Sequence, residues 1–148
     1  MGTDSEQLVA PELARVDATT VAGLLKSGGK PGSVIVDVRD PEEVATGSIK
    51  ASVNVPSAVF KNPDPAQLDA VIKEQLGDAK EIIVHCHLSK IRGPTCAKSL
   101  ADRLKALGVE GTEVKVLAGG IVDFMEGHKD DSSIVKLPES GWNPDPKH

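Results

Sequence analysis

The stretch Glu81-Ile82-Ile83-Val84-His85-Cys86-His87-Leu88-Ser89-Lys90-Ile91-Arg92-Gly93-Pro94 decides how this chain folds. Its opening residues form an apolar, β-branched run, the pattern of a strand buried on both faces. Its close, Gly93-Pro94, begins a helix that carries Ala97, Leu100, Ala101 and Leu104 at helical spacing and ends before Gly108. Pro94 suits the first helical position, where its missing N–H costs nothing.

Similar units lie on either side. Upstream, Val21, Leu24 and Leu25 predict a short helix ending at Ser27-Gly28-Gly29, and Ser33-Val34-Ile35-Val36-Asp37-Val38 is a second buried strand. Asp40 caps a helical turn at Pro41-Glu42-Glu43, and Ser52-Val53-Asn54-Val55 is a short strand stopped by Pro56. Residues 65–76 place Leu68, Val71, Ile72 and Leu76 on one helical face before Gly77. Downstream come the strand Val114-Lys115-Val116-Leu117, a turn at Gly119-Gly120 and a short helix over 121–126. Strands separated by helices require crossovers, so the expected class is α/β, a mainly parallel central sheet with helices on both faces. From His128 the chain is polar and rich in Asp, Ser and Pro, and is expected to be poorly ordered.

Composition narrows the function. With 148 residues, 39% of them hydrophobic, and 14 glycines, the chain has the make-up and length of one globular domain. Seventeen Lys and Arg against 22 Asp and Glu leave a net charge of −5, which is no footprint for nucleic acid or an anionic membrane, so any anion site must be local. Aromatics make up 2% with no tyrosine, which removes platforms for base stacking. No apolar run approaches the ~20 residues of a membrane span. Two cysteines, Cys86 and Cys96, are too few for a disulfide framework or a four-cysteine zinc site and point to a reducing compartment. A soluble protein of the cytoplasm, or of the nucleus, is expected.

Ligands of open α/β sheets bind beyond the carboxyl ends of the strands, which is where Cys86 lies. The loop of His87, Leu88, Ser89, Lys90, Ile91 and Arg92 can turn its backbone amides inward as a nest for a tetrahedral oxyanion. That field, with Arg92 and Lys90, should favour the thiolate of Cys86, the form that attacks. Arg92 can clamp two oxygens at once. A cysteine after a strand is ordinarily a small buried hydrophobe; a preceding histidine, an arginine six positions on and a Gly-Pro helix start make Cys86 a candidate nucleophile instead. His85 either hydrogen-bonds the loop backbone or is an ordinary strand-end histidine. Cys96 is either a resolving thiol or core packing beside Leu100, and its apolar neighbours favour packing. His85, Cys86 and His87 cannot converge from a strand and tight loop, so neither a metal nor a bound cofactor is expected. Glu42 and Glu43 read as solvated charges, and His128 and His148 as exposed.

The loop from His85 to Ala97 resembles the active loop of single-domain rhodanese-fold enzymes, the eukaryotic arsenate reductases and the cell-division-cycle dual-specificity phosphatases, the arsenate-reductase type most closely. Asp37-Val38-Arg39-Asp40, with Glu43, Gly47, Ile49, Ala51, Asn54 and Pro56, is similar to the family signature on the second strand, and Gly119-Gly120 resembles its last turn. The resemblance covers residues 12–127 and leaves 1–11 as an N-terminal extension and 128–148 as a polar tail. It implies a rhodanese fold, Asp37 and Arg39 as ion-pair partners bracing the sheet end, glutathione as a thiol co-substrate and glutaredoxin as a possible partner. Sulfurtransferases of this kind have a loop one residue shorter, so five residues between Cys86 and Arg92 disfavour sulfur transfer. The phosphatases carry glutamates in the loop, where this chain has His87 and Ile91. A phosphomonoester needs its leaving oxygen protonated, whereas arsenate loses only water or hydroxide. Arsenate reduction is therefore the expected activity and protein-tyrosine or dual-specificity phosphatase the alternative. A non-catalytic binding module would need neither Cys86 nor Arg92.

Overall fold

In the computed structural model, which describes residues 9–27 and 32–143, the strand at Glu81–His85 is the middle of a five-stranded sheet. The elements in chain order are β1 (Ala14–Val16), α1 (Ala18–Lys26), β2 (Ser33–Asp37), α2 (Pro41–Val44), β3 (Ser48–Ile49), β4 (Val53–Asn54), α3 (Ser57–Lys61), α4 (Ala66–Gln75), β5 (Glu81–His85), α5 (Arg92–Ala106), β6 (Glu113–Leu117), α6 (Gly120–His128) and β7 (Val135–Lys136). The sheet runs β1-β6-β5-β2-β4 with every neighbouring pair parallel. Asp37 is in register with His85, so the segments that leave β2 and β5 start level with each other.

Both faces of the sheet are covered, which is why its strands read as continuous apolar runs rather than alternating ones. Val36, Ile82, Val84 and Val116 pack with Leu68, Ile72, Leu100 and Leu104 of α4 and α5. Ile35, Ile83 and Leu117 pack on the other side with Val21 of α1 and Ile121 and Phe124 of α6. The expected α/β architecture is the observed one.

Four local differences bear on the site. β1, a three-residue edge strand, is too short to leave a periodic signal. α1 stops at Lys26 with Ser27 as its C-cap, while Gly28 and Gly29, like residues 1–8 and His148, lie outside the described residues. α5 starts at Arg92, so Pro94 is its third residue rather than its first. The first four N–H groups of a helix have no intrahelical acceptor, so proline loses nothing there, and the earlier start turns the Gly93 amide toward the loop. The fourth difference is the tail. Ile134 and Val135 are buried, β7 pairs antiparallel with β3, and Trp142 packs on the α1/α6 core. His128 is half-buried, its ring centroid 5.2 Å from that of Phe124. The residues from 128 to 143 are thus packed, because a few apolar side chains anchor an otherwise polar segment. Among the described residues no helix is long and apolar enough to cross a membrane.

Candidate active site

Cys86 leaves the end of β5 and is 4% exposed. The loop doubles back at Ser89, whose φ of +56° is left-handed and unusual for a residue with a Cβ. That turn aims the Ser89 N–H at the Cys86 sulfur at 3.2 Å, and the Gly93 N–H reaches the same sulfur at 3.1 Å. Cys86 N–H in turn donates to Ser89 Oγ at 3.3 Å. Two amide donors, one from the loop and one from the first turn of α5, are thus aimed at the sulfur. Position 93 must be small, since a Cβ there would lie 3.2 Å from the Cys86 nitrogen and 3.3 Å from its sulfur.

α6 supports the loop from behind. Ile121 N–H donates to the Cys86 carbonyl at 3.0 Å and Val122 N–H to the His87 carbonyl at 3.2 Å. Gly120 makes this approach possible, with φ +59° and a hypothetical Cβ only 2.4 Å from the His87 oxygen and 2.6 Å from that of Cys86. Gly120→Ala should push α6 and the loop apart and lower kcat/KM by about 10²-fold, the effect of an ångström-scale misplacement. Steady-state kinetics beside a melting curve check this, and a wild-type kcat/KM would contradict it.

Arg92 meets a residue that the sequence did not bring to the site. Its Nη1 and Nη2 donate to Glu43 Oε1 and Oε2 at 2.8 and 2.9 Å. Glu43 is not a solvated charge: it is 1% exposed, and its Oε1 also accepts the Asp40 N–H at 3.0 Å. The single turn of α2 buries Glu43 and leaves its neighbour Glu42 exposed. Hydrogen bonding to Glu43 outweighs partial burial and holds the guanidinium more firmly protonated than usual, the Cys86 sulfur adding to the effect. A guanidinium has five N–H bonds and the Glu43 fork engages only one edge, so donors remain for an oxyanion.

Asp37 and Arg39 form the expected ion pair, fully buried, with Arg39 Nε 3.0 Å from Oδ1 and Nη2 2.8 Å from Oδ2. Arg39 also donates to the carbonyls of Glu43 at 3.1 Å and Gly47 at 2.8 Å, so it fastens the α2 segment to the end of β2. Asn54 of β4 donates to the carbonyls of Asp37 and Arg39 at 2.9 and 2.8 Å. Burial works to raise the Asp37 carboxyl, but His85 and the bonds and charge of Arg39 prevail and hold it below the usual range.

His85 touches the loop backbone, with Nδ1 3.1 Å from the Cys86 carbonyl oxygen and Nε2 3.9 Å from Asp37 Oδ2. Burial lowers its pKa against the opposing pull of Asp37, and Nδ1, which faces a carbonyl oxygen, is the donor. A buried histidine with a lowered pKa binds fewer protons folded than unfolded. Unfolding free energy should therefore be fully present above the unfolded value of about 6.5 and decline as pH falls below it. Denaturant titrations between neutral and mildly acidic pH test this, with His85→Asn expected to flatten the decline.

Cys96 is fully buried within the sheet/α5 core, and burial pushes its thiol up to about 12. That placement matches packing, not a ready nucleophile. Around the mouth, Leu88 is 43% and Ile91 70% exposed, Lys90 is exposed and His87 is half-buried. Among the described residues no cluster of three or more His, Cys, Asp or Glu is placed to hold a metal ion.

Residues 18–126 match the family model of the rhodanese-like domain. The chain is 33% identical over 85 residues to the dual specificity phosphatase Cdc25 of Arabidopsis thaliana, a match covering 57% of this chain and 55% of that protein. It is also 33% identical over 96 residues to arsenate reductase 2.1 of Oryza sativa subsp. japonica, covering 65% and 56%. The chain thus spans about half the length of these two relatives. A solved yeast protein tyrosine phosphatase of the rhodanese family superposes with a TM-score of 0.74 at 25% identity, covering 90% of this chain and 95% of its own. The family match runs from α1 into α6 and contains β5, the Cys86 loop and the Gly119-Gly120 turn, and on that match this chain belongs to the rhodanese-like domain family.

Proposed function

We propose that this chain reduces arsenate with an external thiol. The Cys86 thiolate attacks the arsenic of an arsenate held by the loop amides and Arg92. A sulfur–arsenic bond forms and hydroxide leaves, to be protonated to water. The thiolate of glutathione then attacks the Cys86 sulfur; the sulfur–arsenic bond breaks, its electron pair goes to arsenic, and arsenite departs. Cys86 is left in a mixed disulfide, which a second glutathione or a glutaredoxin thiol reduces to regenerate the enzyme. Two thiols are oxidised for each arsenate reduced. Cys96, buried and with a raised thiol pKa, is no resolving thiol, and an external donor is the alternative.

The observation that carries this reading is the absence of a free carboxylic acid in the loop. Ile91 stands exposed at the mouth, position 87 is a histidine, and the buried carboxylate beside Arg92 is committed to Arg92 and to the Asp40 amide. A thiolate cradle without a placed acid suits a substrate whose leaving group is water or hydroxide better than a phosphate ester. The second reading, a phosphatase, rests on the same cradle, because tetrahedral phosphate would fill it equally well. Two measurements on the pure protein separate them: arsenite formation with glutathione and glutaredoxin, and the slope of log kcat/KM for aryl and alkyl phosphates against leaving-group pKa. Arsenite formation and a steep negative slope are expected. A flat slope with rapid hydrolysis of phosphotyrosine peptides and no arsenite would make the chain a phosphatase.

A further inference from the structure

Residues 129–143 lie beyond the part of the chain that matches the family model, yet they are joined to the segment that carries Glu43. β7 pairs with β3 through Ser48↔Lys136 and Ile49↔Val135. Lys50 N–H donates to the Ile134 carbonyl at 2.9 Å, and Asn143 N–H to that of Thr46 at 3.3 Å. Trp142 packs directly on Gly47, where a Cβ would meet its indole Cε3 at 2.6 Å, so only glycine admits the ring.

The turn from Glu43 to Gly47 is consequently held from two sides. Arg39 takes the carbonyls of Glu43 and Gly47, and Thr46 Oγ1 donates to the Glu43 carbonyl at 2.6 Å. Residues 129–143 take the outer side, through Trp142 on Gly47 and Asn143 on Thr46. At the front of that turn the Glu43 carboxylate grips both terminal nitrogens of Arg92. The sulfur of Cys86 is also held by the amides of Ser89 and Gly93, and the loop behind it by those of Ile121 and Val122 on the Cys86 and His87 carbonyls, none of which belongs to the Glu43–Gly47 turn.

We infer that Trp142 is a positioning residue for oxyanion binding: by closing over Gly47 it fixes the turn that lets Glu43 hold Arg92 beside the Cys86 sulfur. The inference rests on the reading of Arg92 as an oxyanion ligand. It acts through Arg92 and leaves the Ser89 and Gly93 amides on the sulfur in place, which distinguishes it from a general contribution to stability.

The test compares the 148-residue wild-type chain with Trp142→Ala and Trp142→Phe. Three quantities are measured: Cys86 alkylation by iodoacetamide without anion, the arsenate concentration that half-protects it, and the side-chain nitrogen NMR signals of Arg92. In Trp142→Ala, alkylation without anion should change far less than protection does, because the Ser89 and Gly93 amides still hold the sulfur. Half-protection should need about tenfold more arsenate, the loss expected when one charge-assisted contact is weakened. The separate terminal-nitrogen signals of Arg92, kept apart by the Glu43 fork, should merge, and Trp142→Phe should restore both readouts. Should the alanine variant not fold, Trp142→Leu carries the same expectations. Unchanged Arg92 signals would overturn the inference, as would an anion-free alkylation rate that shifts in step with protection. If arsenate fails to protect even the wild type while the Arg92 signals still merge in the variant, the positioning role stands and the oxyanion reading of Arg92 falls.

Discussion

Replacing Cys86 by serine should abolish arsenate reduction, and any phosphate-ester hydrolysis, while leaving the fold intact. A serine oxygen can still accept the Ser89 and Gly93 amides that now reach the sulfur, so the loop keeps its shape. A serine hydroxyl is a far weaker nucleophile than a cysteine sulfur, and it cannot form the mixed disulfide through which electrons reach arsenic. Turnover should fall to background with a melting temperature close to that of wild type. Retained turnover in this variant would remove Cys86 from the mechanism.

The largest stability effect is expected at Arg39. Its guanidinium is fully buried, paired with Asp37, and bonded to two carbonyls that lead into the α2 turn. Arg39→Leu leaves the Asp37 carboxylate buried without its counter-charge, which costs about 3–5 kcal/mol when a buried pair is broken from one side. Urea denaturation should report that loss, and Asp37→Leu combined with Arg39→Leu should recover part of it, because the stranded charge is then gone. A single variant within about 0.5 kcal/mol of wild type, the ordinary range for surface changes, would show that the pair does not hold the sheet end.

What could be read from the sequence, and what could not, follows from how local each signal is. β2, β5 and β6 were legible because helices cover both faces of the sheet and the middle of each strand is apolar and β-branched, Lys115 of β6 excepted. Cys86 and Arg92 stood out because strand end, loop and helix start are contiguous in sequence. Glu43 was missed for the opposite reason: its burial is created by Arg92, 49 residues away, and a four-residue helix offers no periodicity to show which side faces inward. Within the family pattern the glutamate was visible, but nothing in its neighbours Glu42 and Val44 told it apart from a surface charge. Gly119-Gly120 was read as a turn; that Gly120 presses on the carbonyls of Cys86 and His87 depends on where α6 docks. The 128–143 segment misled because its mean polarity outweighs Ile134, Val135 and Trp142, the residues that fix it in place.

The central claim is that Cys86 passes electrons from an external thiol to an oxyanion in its cradle. Mass spectrometry of the protein quenched during turnover with arsenate and glutathione, in the absence of glutaredoxin, tests it most directly. The account predicts that glutathione accumulates on Cys86, that this requires arsenate, and that Cys96 stays a free thiol. A Cys86–Cys96 disulfide, or an unmodified Cys86 while arsenite accumulates, would contradict it.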